Sequence, residues 1–164
     1  MREREIEGVL AVLNARGIAY EMCEHPPLYT MEEMVAAGLP EPETMAKNLF
    51  VRDDKKREYY LISVRQETRV DLKQFALRNG TRKLSFASEE DLYALLRLTK
   101  GSVTPFGLLN DGEHRVTLYL DRKFEAGRIG IHPNRNTATV WLATDDLVTL
   151  IREHGNTVIF TQID

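Results

Sequence analysis

Lys47 and Asn48 stand together in the stretch TMAKNLFV, where strand alternation puts Met45, Lys47, Leu49 and Val51 on one face. An ammonium among apolar neighbours has two readings. Either it snorkels to water with its stem lying along the sheet, or it lines a cleft and meets an anion. A second stretch, Gly101-Ser102-Val103-Thr104-Pro105, joins a residue that tolerates positive φ to a proline that holds Thr104 extended. It is either a plain helix-to-strand turn capped by Gly101, or a rigid loop whose spare amides hold a carbonyl oxygen or an oxyanion. The third stretch is Gly130-Ile131-His132-Pro133-Asn134, in which the proline restricts the backbone of His132. That imidazole either satisfies a structural hydrogen bond or offers one to a substrate.

Familiar catalytic sets are missing from the sequence. There is no GxSxG elbow and no Cys–His pairing of nucleophile type. Acidic pairs and triples (Asp53-Asp54, Glu89-Glu90-Asp91, Asp145-Asp146) fall at turns and helix starts, where capping is their ordinary work. Cys23 is the single cysteine, and the four histidines show no HExxH or HxH spacing, so no metal is expected. Without GxGxxG or GxxxxGK[ST], a nucleotide cofactor has no support either. An enzyme made from these parts works by positioning and electrostatics, with no protein nucleophile.

The elements that must position these groups follow from periodicity and caps. Ile6, Val9, Leu10 and Leu13 predict a helix over 3–16 that ends at Gly17, followed by a strand at 18–24. Thr30 with Glu33 forms a capping box for a short helix stopping near Gly38. A hairpin comes next, with strands 45–52 and 58–65 around the turn 53–56. Asp71 and Gln74 open a helix that Gly80 ends, RKLSF makes a short strand, and Ser88 with Asp91 caps a helix ending around Gly101. Further strands are expected at 106–110, 116–121 and 138–142, then a helix from Thr144 to near Gly155 and a strand at 156–163. Interleaved hairpins and single helices predict one α+β domain over 1–164 with a mixed sheet, not a doubly wound parallel one.

Composition bounds the setting. In 164 residues, 43% hydrophobic and 29% charged content fits a soluble globular chain with room for a core. No apolar run approaches the roughly 20 residues of a membrane span, and the charged start MREREIEGVL is unlike a signal peptide. A cytoplasmic location is expected, with no membrane partner. Net charge is −3, yet residues 47–100 hold 13 Lys and Arg against 8 Asp and Glu. That basic middle third either meets phosphates or forms ordinary solvated faces.

In this order and spacing the stretches resemble the YbaK/PrdX superfamily of aminoacyl-tRNA deacylases, relatives of the editing domain inserted in bacterial prolyl-tRNA synthetase. The matching pieces are EHPPLYTMEE (24–33), AKNLFVRD (46–53), YYLISV (59–64), DLKQF (71–75), LSFAS (84–88), GSVTPFGLLND (101–111) and IHPNRNTATV (131–140). The chain looks most like the free-standing PrdX branch. This resemblance implies a mixed, partly curled sheet flanked by helices, and hydrolysis of alanine from mischarged tRNA for proline. Removal of Cys, Ser or Thr is the nearer alternative.

It also implies that Lys47 is the active-site lysine, holding the phosphate or ester region, with Asn48 in support. Residues Gly101, Ser102, Val103, Thr104 and Pro105 become the loop that fixes the aminoacyl carbonyl and a water, and His132 the pocket histidine. The free hydroxyl of the terminal ribose helps to activate water, so no cofactor is implied. The partners are the acceptor end of aminoacyl-tRNA and prolyl-tRNA synthetase. Thr30, Met31, Met34 and Phe50 are the candidates for a pocket wall that admits alanine and excludes proline. A reading of another class is a noncatalytic module that grips tRNA or a synthetase through the basic middle third.

Overall fold

Helix α1 (Arg4–Ala15) buries Ile6, Val9, Leu10 and Leu13, the stripe its spacing dictates. Gly17 takes φ +67° and donates to Asn14 O while Ile18 N–H reaches Leu13 O, a Schellman ending. The computed structural model describes residues 3–163. After β1 (Tyr20–Glu24), the box of Thr30 and Glu33 forms in full at the start of α2 (Met31–Ala36). The hairpin of β2 (Ala46–Asp53) and β3 (Tyr59–Arg65) closes on Asp53, whose carboxylate accepts from Arg57 N–H at 2.9 Å. Asp71 caps α3 (Leu72–Asn79) and Ser88 caps α4 (Glu89–Leu96), on either side of β4 (Leu84–Phe86).

Two ladders result. One is β4-β2-β3-β5-β8, with β5 (Val116–Asp121) and β8 (Val158–Thr161) parallel to β3 and the β2 pairings antiparallel. The other is the antiparallel β1-β7-β6, built from β6 (Arg128–Ile131) and β7 (Ala138–Ala143). They meet in an isolated parallel bridge between Met45 and Gly130. Glycine is required there, since a Cβ on Gly130 would lie 2.7 Å from Trp141 Nε1. That buried indole donates to Thr44 Oγ1 at 3.1 Å and pins the junction just before β2. The mixed sheet is thus two ladders hinged at one point, open and not closed into a barrel.

Alternation along the larger ladder feeds two cores. Phe50, Leu61 and Leu118 enter a large cluster with α1, α4 and α5 (Thr144–His154), while Val51, Ile62 and Tyr119 pack under α3 with Phe75. Met45 joins neither: it packs with Met34, Leu39 and Trp141 at the junction.

Three expectations need correction. Residues 106–110 are no strand; Pro105–Asn110 is a buried 3₁₀ segment. Pro105 has no N–H for a ladder, and a short apolar run reads alike in either state. A Cβ on Gly107 would come within 2.5 Å of Leu98 Cδ1, so the tight turn rests on glycine. Gly101 does not end α4; Arg97 does, at φ +57°, four residues earlier. And β6 adds a strand just before His132, in a stretch to which no element was assigned.

Candidate active site

The start of β2 is held to the turn that follows β3 by two side chains. Lys47 Nζ donates to Thr68 O at 2.5 Å, and Gln66 Nε2 donates to Ala46 O at 3.0 Å. Thr68 N–H closes the same turn on Arg65 O. Lys47 is half-buried, and an ammonium carries three donors. The single protein bond fixes the stem without exhausting the charge.

Asn48 points the other way, and both ends of its amide are bonded. Its Nδ2 donates to Val103 O at 3.1 Å, and its Oδ1 accepts from Ser63 Oγ at 2.5 Å. The amide therefore ties two strands to the loop beyond α4. That loop begins as a turn, Ser102 N–H to Thr99 O, with Lys100 and Gly101 at its centre and Gly101 at φ +91°. The third residue of a type II turn needs positive φ, which is the task of Gly101. Ser102 and Thr104 are buried behind it, and Thr104 Oγ1 donates to His132 O at 2.6 Å. Of the loop amides, that of Ser102 is used by the turn; those of Val103 and Thr104 donate to no group among the described residues.

His132 follows β6 and is fixed by its own ring. Nδ1 lies 2.9 Å from Ala138 O, and a carbonyl can only accept, so the proton sits on Nδ1 and Nε2 keeps a lone pair. Burial pushes its pKa below the ordinary histidine value; the Ala138 bond opposes this and His25 adds to it. His25, with its ring 6.2 Å away, is itself held by Pro26 O and Thr139 Oγ1 at 2.8 Å each.

Lys47, Asn48, Gly101, Val103, His132 and Met34 converge on one cleft of about 260 Å³. The lining contains no carboxylate, so Lys47 gives it a positive field. Ser102, Thr104 and Pro105 stand behind the wall and do not line it. The remaining wall candidates separate. Thr30 is exposed in its capping box, and Met31, the first residue of α2, is not on the lining. Phe50 is buried, stacked 5.7 Å from the Tyr59 ring, with its edge on a neighbouring groove. Leu28, Tyr29, Ala46 and Gln66 also line the cleft and were not singled out from sequence. Tyr29 and Leu28 lie in the EHPPLYTMEE match, a usable signal; Gln66 has none, since only the fold brings it back to Ala46. Among the described residues, no three His, Cys, Asp or Glu side chains converge as metal ligands.

Comparison with known proteins identifies the family. Residues 25–150 match the family model described as the aminoacyl-tRNA editing domain. Prolyl-tRNA editing protein ProX of Acetoanaerobium sticklandii is 42% identical over 92% of this chain and 93% of its own. Prolyl-tRNA synthetase associated domain-containing protein 1 of Danio rerio is 35% identical over 98% of this chain and 87% of its own. A crystal structure described as a candidate trans-editing enzyme for prolyl tRNA synthetase superposes with a TM-score of 0.75. It covers 100% of this chain and 99% of that one at 22% identity, a likeness of fold.

Proposed function

From the premise that this chain belongs to the aminoacyl-tRNA editing domain family, we propose that it is a trans-editing deacylase that removes alanine from mischarged tRNA for proline. It is a hydrolase: water adds to the aminoacyl carbonyl, the ester bond to the ribose breaks, and the free amino acid and the tRNA hydroxyl leave. The observation that carries the reading is the convergence of Lys47, the 101–103 loop and His132 on one acid-free cleft.

Each group has a part suited to that reaction. Lys47 holds the phosphate or ester region of the acceptor end, its stem fixed by Thr68 O. The free amide of Val103, which lines the cleft, supplies a donor for a developing oxyanion, a role commonly worth about 10²–10³ in rate. His132, neutral with a free Nε2, accepts from the substrate's α-ammonium. Asn48 is a positioning residue that keeps the loop on β2. No side chain on the lining serves as a nucleophile, and the vicinal ribose hydroxyl orients the water.

The choice of substrate follows from size. A synthetase pocket shaped for proline rejects a smaller side chain weakly, at about 1–3 kcal/mol per missing methylene. A second, smaller site that admits a methyl group and excludes a ring completes a double sieve. Met34, buried at the junction and on the lining, is the wall that sets this limit. Prolyl-tRNA synthetase is the natural source of the substrate. Deacylation of tRNAs charged with Ala, Cys, Ser, Thr and Pro tests the proposal. Alanine is expected to leave fastest and proline to stay. Hydrolysis of none sinks the enzyme reading, and faster release of Cys, Ser or Thr sinks the alanine assignment.

A further inference from the structure

Asn48, Gly101 and Val103 are a shared wall. On its other side lies a larger groove of about 520 Å³. The groove has a topological cause. Strand β4 pairs only with Val51, Arg52 and Asp53, so the first half of that edge of β2 has no strand beside it. Leu49, Phe50 and Leu92 make an apolar floor, and Phe86 and Lys100 stand on the rim. Phe86 is 63% exposed, an arrangement its burial energy does not explain.

We propose that this groove seats the 3′-terminal nucleotide of the aminoacyl-tRNA, with its base on Phe86 and its phosphate at Lys100. The proposal rests on the deacylase reading and adds the binding site for the nucleotide that carries the ester. Continuity argues for it: the ribose bearing the ester in the cleft must place its base and phosphate next door, and the two cavities share Asn48, Gly101 and Val103 as lining. Chemistry argues the same way. A flat aromatic face with a nearby cation is what a single-stranded nucleotide needs, and neither asks for a particular base. The one acid on the lining, Glu89, is the first residue of α4. It disfavours phosphate there and accepts from the exocyclic amine of adenine, which fixes the direction in which the nucleotide lies.

Steady-state deacylation of alanine-charged tRNA tests the assignment. Loss of stacking in Phe86→Ala or Phe86→Leu is expected to raise KM about 5- to 150-fold, from the 1–3 kcal/mol typical of one stacked base. Phe86→Tyr restores it. Lys100→Ala raises KM and flattens its salt dependence, and Lys100→Arg restores both. Leu77→Ala removes an equally exposed apolar side chain from α3 and leaves the kinetics alone. In a parallel arm, a hairpin RNA ending in CCA carries 2-aminopurine as its last base. The wild-type protein is expected to quench its fluorescence, and Phe86→Leu to abolish the quenching. If wild-type protein hydrolyses the substrate while Phe86→Ala and Lys100→Ala keep its KM, the groove assignment is overturned and the deacylase reading stands. If it hydrolyses nothing yet quenches through Phe86, the deacylase reading falls and the groove stands. A groove that binds a peptide and does not quench the RNA overturns it as well.

Discussion

The hydroxyl of Thr104 donates to the main-chain carbonyl of His132 across 2.6 Å, with the threonine wholly buried. That bond makes one unit of two stretches 28 residues apart, the loop after α4 and the turn after β6. Thr104→Val keeps the shape and leaves the carbonyl without its donor. A stability loss of about 1–3 kcal/mol is expected from denaturant unfolding. A fall in kcat should accompany it, and Thr104→Ser should recover most of both.

Asn48 ties the same loop to the sheet from the other side. Asn48→Ala strands the Val103 carbonyl and the Ser63 hydroxyl, and about 1–3 kcal/mol of stability should go with them. Asn48→Asp separates the two bonds: it still accepts from Ser63 and no longer donates to Val103. The expected result is a stability loss at least as large as that of Asn48→Ala, because a carboxylate oxygen then faces the Val103 carbonyl, together with a reduced kcat as the loop loses its anchor. Comparison of unfolding midpoints with single-turnover rates checks this.

Gly101 stands at φ +91°, and an added Cβ meets nothing closer than Asn136 Nδ2 at 3.5 Å. The cost of Gly101→Ala is therefore backbone strain and not a clash, of order 1–3 kcal/mol. The turn relaxes by moving the amides that follow it, so the chemical step should slow while thermal unfolding shifts only by a few degrees.

The buried His132 sets a pH dependence. Its folded pKa lies below the value near 6.5 that it takes in the unfolded chain, so between the two the unfolded state binds more protons. The stability from keeping it neutral is full above about pH 6.5 and is lost as pH falls toward the folded pKa. Unfolding midpoints measured from pH 7.5 down to 5 should decline, and the slope should flatten in His132→Asn. Deacylation by the folded protein should hold through that window and fall only below the folded pKa, where a protonated Nε2 no longer accepts from an ammonium.

Much of this was legible from residue pattern. The helix caps at Thr30, Asp71 and Ser88, the hairpin and the α1 stripe each satisfy a local rule, and the order Lys-Asn, GxxxP, His-Pro carried the family. What sequence hid depends on contacts between distant parts. PFGLL is apolar enough for a strand, and only its packing under Leu98 makes it a 3₁₀ turn. The Arg97 helix end breaks the preference for glycine at positive φ, so Gly101 took the role by default. Thr30 and Met31 are off the lining: the threonine hydroxyl is used by the capping box that starts α2, and only Met34, one turn further on, reaches the cleft. Gln66 enters the cleft through a hairpin register that no local signal announces.

The central claim is that Lys47 serves the editing reaction from this cleft. It is tested most directly by the single-turnover deacylation rate of Lys47→Ala on alanine-charged tRNA for proline. The account predicts a loss of about 10²-fold or more, the scale set by removal of one preorganised electrostatic group, in a protein that still folds. A Lys47→Ala enzyme that cleared alanine at the wild-type rate would contradict it.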